Sequence, residues 1–129
     1  MNDLSLPSPV ARARDLARLI AAEADAIEHG RRLTGPVVEE LHRARLFRML
    51  YPRSVGGDEV EPAVYIDAVG ELARADGSVG WCASIANSTG LFAPYLDPAA
   101  VWCSAARARP APGVRPTIAA GLRCRAAIG

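Results

Sequence analysis

The chain has 129 residues, half of them hydrophobic, with 15 basic and 14 acidic side chains and a net charge of +1. That is enough for one modest domain with a small core. No stretch approaches the roughly 18–20 apolar residues that cross a bilayer, and the first nine residues lack a basic segment followed by an apolar run. We therefore expect no membrane span, no secretory leader and a cytoplasmic location.

The chain opens on a polar lead, residues 1–9, expected to be flexible. A first helix is predicted from Val10 to Gly30, with Leu16, Leu19, Ile20, Ala24 and Ile27 on one face and Arg12, Arg14, Asp15, Arg18, Asp25 and Glu28 on much of the rest. Gly30 suits its C-terminal stop. A second helix is predicted from Thr34-Gly35-Pro36, where proline is tolerated in a first turn. Val38, Leu41, Ala44, Arg45 and Phe47-Arg48 continue its period, and Tyr51-Pro52 ends it. Residues 52–58 read as a loop whose Gly56-Gly57 pair permits positive φ or close backbone approach.

A third helix is predicted from Glu61-Pro62 to Ala75, with Val64, Ala68, Val69 and Leu72 inward. Asp76-Gly77-Ser78 breaks the chain, and Asp76 or Ser78 can cap a fourth helix, Val79 to Phe92. That helix has no charged residue, which predicts burial on most sides. A short fifth helix is predicted near Asp97-Pro98.

Beyond Ala100 the pattern changes. Every acidic residue lies at or before Asp97, whereas five arginines lie between Val101 and Gly129. Pro110, Pro112 and Pro116 interrupt any helix there. We expect 101–129 to be a low-order Ala/Arg/Pro/Gly tail outside the fold. The scattered arginines lack aromatic stacking partners beyond Trp102, so nucleic acid is not an expected partner.

Cys82, Cys103 and Cys124 are odd in number and form no CxxC pair, so neither a disulfide framework nor a zinc site is expected. His29 and His42 sit beside charged residues and read as solvated. Arg43, Arg45 and Arg48 read as a solvated, salt-paired face with Glu39 and Glu40. Gly56-Gly57 lacks the context of a phosphate loop.

The run LYPRSVGGDEVEP followed by ELARADGSVGW resembles the acyl-CoA dehydrogenase family of flavoproteins. There a proline and a Gly-Gly turn precede a helix that ends in an acidic-Leu-Ala-x-x-Asp-x-Ser segment. LTGPVVEELHRARLFRML is similar to the helix feeding that turn. The resemblance implies an all-α N-terminal domain of four or five helices over residues 10–100, walling the substrate pocket of an FAD-dependent oxidoreductase. It implies homodimers or homotetramers, and a small-molecule substrate, acyl-CoA or aromatic. The catalytic glutamate and most of the flavin site lie in parts of the family fold beyond this stretch, so no catalytic residue is assigned. The tail matches neither the helix nor the strands expected next, and reads as a truncated or frameshifted product. On this reading the chain alone is inactive, does not retain FAD or reduced flavin, and exposes apolar surface of the fourth predicted helix that normally meets the β-domain, which favours aggregation or self-association.

Gly80-Trp81 after the Asp-x-Ser break resembles the branch of flavin-dependent monooxygenases, which use reduced flavin and oxygen. Trp81 could line a pocket for a flat ring or pack in the core. Ser84, Asn87 and Ser88 could face the same pocket, or bond to neighbouring backbone, with Ser84 and Ser88 returning to the preceding turn. Trp81, Ser84, Asn87 and Ser88 are thus the candidate substrate-pocket residues. A non-catalytic helical interaction module, with the charge-free helix as its partner face, is the alternative of another class.

Overall fold

A computed structural model of the chain describes residues 6–97. Among them are five α-helices and two short 3-10 turns, and no strand. The all-α expectation is met. The predicted fifth helix near Asp97-Pro98 and the tail at 101–129 lie outside the described residues.

The first predicted helix is two segments, α1 (Pro9–Asp15) and α2 (Ala17–Gly30). Ser8 starts α1: its Oγ accepts from the Ala11 N–H at 3.2 Å, and Pro9 occupies the first turn. The break falls at Leu16, whose N–H bonds to Ala13 O three residues back, a tighter closure than the α-helical one. Hydrophobic spacing runs straight through this break, so periodicity alone gives no sign of it. Gly30 is the last residue of α2, and the left-handed position falls on Arg31 at φ 50°.

Helix α3 (Gly35–Arg43) is shorter than its apolar spacing predicts. It closes at Arg45, which adopts φ 59°. The Leu46 N–H bonds to Leu41 O and the Arg45 N–H to His42 O, both at 3.0 Å. This is the two-bond closure usually built around glycine. A left-handed non-glycine residue costs about 1–2 kcal/mol, and the contacts of the Arg45 side chain described below offset that cost.

The connection from α3 to α4 (Pro62–Ala75) is a folded loop. A 3-10 turn at Arg53–Val55 leads to Gly56 at φ 77°. Gly57 lies against the chain itself: a Cβ there would stand 1.9 Å from Tyr51 O. The two glycines thus meet different needs, one of sign of φ and one of space. The loop then doubles back, with Asp58 N–H bonding to Arg48 O and Val60 N–H to Met49 O. Helix α5 (Gly77–Leu91) follows a single-residue break at Asp76, whose Oδ1 caps Val79 N–H at 3.0 Å.

Helix α4 is central, with α1, α2 and α5 packed on it. Ile20, Leu41, Leu46, Met49, Leu72 and Val79 are fully buried in one core. Each large side chain of this kind contributes about 1.5–3 kcal/mol through burial.

Candidate functional site

Helix α5 carries the four candidate residues, and its two faces differ in the size of their side chains. The face against α4 and the loop consists of Val79, Gly80, Ala83, Asn87 and Gly90. The opposite face exposes Trp81 at 67 %, Ile85 at 51 % and Leu91 at 55 %. Phe92, Tyr95 and Leu96 extend this apolar surface past the helix end. The expectation of burial on most sides is corrected, whereas the expected open apolar surface is present; Gly80, Ala83 and Gly90 point in, and Trp81, Ile85 and Leu91 point out. Close packing accompanies this arrangement. A Cβ on Gly80 would lie 2.6 Å from Ala73 Cβ, and one on Gly90 would lie 2.8 Å from Leu50 C. Helix and loop approach too closely there to admit a larger side chain.

The four candidates do not share one environment. Trp81 stands on the open face. Asn87 is fully buried, and its polar atoms meet backbone: Oδ1 accepts from the Leu50 N–H at 3.2 Å, and Nδ2 donates to Leu46 O at 2.7 Å and Ala83 O at 2.8 Å. Ser88 Oγ donates to Ile85 O at 2.7 Å in the preceding turn. Ser84 Oγ lies 3.0 Å from the Tyr65 hydroxyl of α4 instead. Tyr65 was not singled out in the sequence, although a half-buried tyrosine hydroxyl generally finds a polar partner.

Cys82 is half-buried on α5, and burial pushes its thiol pKa up, with the Asp76 charge adding to the shift. A raised pKa disfavours the thiolate that nucleophilic chemistry requires. His29 is exposed, with Nδ1 2.7 Å from Asp25 O. His42 packs edge-on against Phe47 at a centroid distance of 4.9 Å and is half-buried rather than freely solvated.

A second constellation holds the loop. Asp58 receives Arg12 Nη2 at 3.0 Å on Oδ2 and Arg45 Nε at 2.7 Å on Oδ1. Arg12 also donates to Ala44 O, Arg45 to Gly56 O and Arg48 to Val55 O. The solvated face expected of Arg43, Arg45 and Arg48 is therefore split. Arg43 is exposed and pairs with Glu40, whereas Arg45 turns to the loop and Arg48 is buried. Arg12, expected on the polar face of its helix, is also buried. Its acidic partner lies 46 positions away, beyond the reach of any helical spacing rule. These contacts are structural.

A shallow groove of about 420 Å³ between α1 and α4 is lined in part by Arg14, Glu71 and Arg74. Glu71 pairs with Arg14 at 2.9 Å and Arg74 at 2.7 Å, and these hydrogen bonds hold its carboxyl below the usual glutamate range. Among the described residues, no group of three or more metal-ligating side chains occurs, and no helix is long and apolar enough to cross a membrane.

Residues 10–98 match the family described as acyl-CoA dehydrogenase, N-terminal domain. An indole-3-acetate monooxygenase of Acinetobacter baumannii is 38% identical over 52 residues, which is 40% of this chain and 13% of that protein. The oxygenase subunit HsaA of a flavin-dependent monooxygenase of Mycobacterium tuberculosis is 36% identical over 78 residues, 60% of this chain and 20% of that protein. An indole-3-acetate monooxygenase of Pseudomonas putida is 35% identical over 75 residues, 58% of this chain and 18% of that protein. The chain thus matches a fifth or less of the length of these relatives. No solved structure gives a significant match.

Proposed function

The chain belongs to the acyl-CoA dehydrogenase family, through its N-terminal helical domain, and from that premise we propose that it walls the substrate pocket of a flavin-dependent monooxygenase. The observation that carries this reading is Trp81, held open on a charge-free helix directly after the Asp76-Gly77-Ser78 break. An exposed indole flanked by Ile85 offers a flat apolar surface that suits an aromatic ring and excludes water from it. The relatives named for indole-3-acetate act on a compound with such a ring. In this reading Trp81 and Ser88 bound the pocket, and Ser84 and Asn87 steady the wall from behind.

A bound flavin would supply the redox chemistry in the complete enzyme. In this reading the described helices contribute only part of a site for FAD. Its diphosphate requires cationic groups or free backbone N–H groups, yet α5 has no charged residue and Arg12, Arg45 and Arg48 are directed at Asp58 and loop carbonyls. In this reading the 129-residue chain on its own neither retains FAD nor turns over substrate.

The test uses a complete counterpart that contains this domain. Supplied with reduced flavin, it should consume oxygen in the presence of an aromatic acid and leave acyl-CoA unchanged. Acyl-CoA oxidation without oxygen incorporation would assign it to the dehydrogenase branch instead. Stoichiometric FAD binding by the 129-residue chain would overturn the reading of that chain as an incomplete site.

A further inference from the structure

We infer that Asn87 is the positioning residue that fixes the rotation of α5 about its axis, and so presents Trp81 outward. The inference concerns the packing of the chain itself and stands apart from the functional reading above.

Hydrophobicity does not select the observed rotation. The buried face is Val79, Gly80, Ala83, Asn87 and Gly90, and the exposed face carries Trp81, Ile85, Leu91 and Phe92. Exchange of the two faces would remove more apolar area from water than the native arrangement does. A helix with no charged residue has no polar face to oppose that exchange. Something specific must therefore oppose it.

Gly80 and Gly90 allow close approach, but they do not penalise a looser arrangement in which α5 turns and backs away. Asn87 does. It is the one fully buried polar side chain on the helix. Its amide satisfies the Leu50 N–H and the Leu46 carbonyl of the α3–α4 loop in addition to Ala83 O of its own helix. Rotation of α5 would strand the amide and both loop groups at once, and buried polar groups without partners are strongly disfavoured. One buried asparagine among apolar positions can in this way specify a register that burial alone would not.

The experiment uses the full 129-residue chain with Trp102→Phe, which leaves Trp81 as its one indole. Asn87→Leu in that background replaces the amide with an apolar group of similar size. The expected result is retained helical circular dichroism, with Trp81 emission shifted to the blue and acrylamide quenching reduced toward that of a buried indole, independent of protein concentration. Unchanged Trp81 emission and quenching with only a lower urea midpoint would show Asn87 to be merely stabilising and would overturn the inference. Shielding that appears only at high concentration reflects association and also counts against it. Should Asn87→Leu lose its helices, the added pair Ile85→Ser and Phe92→Ser removes the competing apolar face. Recovery of helix with an exposed Trp81 supports the inference, and continued unfolding overturns it.

Discussion

Arg12 and Asp58 lie 46 positions apart and meet at 3.0 Å, with side chains only 9 % and 15 % exposed. This contact ties the first helix to the Gly-Gly loop. Asp58 accepts from Arg45 at the same time, so one carboxylate answers two guanidinium groups. Removal of the carboxylate would leave Arg12 largely buried without its charge partner. Asp58→Ala is expected to lower unfolding free energy by about 3 kcal/mol, the lower end for breaking a buried pair, as read from urea denaturation. A change below about 0.5 kcal/mol, the usual range of an ordinary surface substitution, would contradict this account.

The two loop glycines should differ in tolerance. Gly56→Ala places a methyl group at φ 77° and is expected to cost about 1–2 kcal/mol. Gly57→Ala drives a Cβ to within 1.9 Å of a backbone carbonyl oxygen, which no side-chain rotamer can relieve. Its cost should exceed that of Gly56→Ala by at least about 1 kcal/mol, since overpacking into fixed structure commonly costs 1–3 kcal/mol. Paired urea melts of the two variants test the order.

Glu71 gives the α1–α4 contact a pH dependence. Hydrogen bonds from Arg14 and then Arg74 hold its folded-state pKa below the ordinary glutamate value. The stability it contributes is therefore complete above that ordinary value and is lost as pH falls through the lower folded-state pKa. Both arginines are exposed, so salt should weaken the effect. Glu71→Gln is expected to flatten the acid limb of a stability–pH curve at low ionic strength. An acid limb identical to that of the parent would show that other carboxylates govern it.

Trp81 separates folding from the proposed function. It is 67 % exposed, so Trp81→Ser in the 129-residue chain should alter stability by no more than about 0.5 kcal/mol. In a complete counterpart the same substitution should weaken use of an aromatic substrate by about tenfold or more in kcat/KM, the range for loss of an apolar pocket contact. Equal activity in parent and variant would remove Trp81 from the pocket wall.

Much of the domain was legible in the linear chain. Pro62 starts α4 and Asp76 caps α5 as expected, because first-turn prolines and caps act through groups only a few positions away. Gly56-Gly57 and the Asp76-Gly77-Ser78 break carry the family resemblance for a similar reason: they report backbone needs that few other residues meet. The ends of α1 and α3 were not legible. Apolar spacing continues through Leu16 and past Arg43, whereas the chain turns at both places.

At Arg45 the determinant is distant. A left-handed arginine is tolerated where Asp58 and Gly56 O receive its guanidinium, and no local signal announces that. The candidate site divides in the same way. The absence of charge on residues 77–91 marked α5 as an unusual helix from its composition alone. Which face turns inward is fixed, on the inference above, by the partners of Asn87, while Gly80 and Gly90 permit the close approach that goes with it. Composition and local capping determined the helical class and most element starts, since those depend on neighbours in sequence. The direction Trp81 faces depends on backbone groups some 37 and 41 positions from Asn87 that only folding brings within hydrogen-bond range.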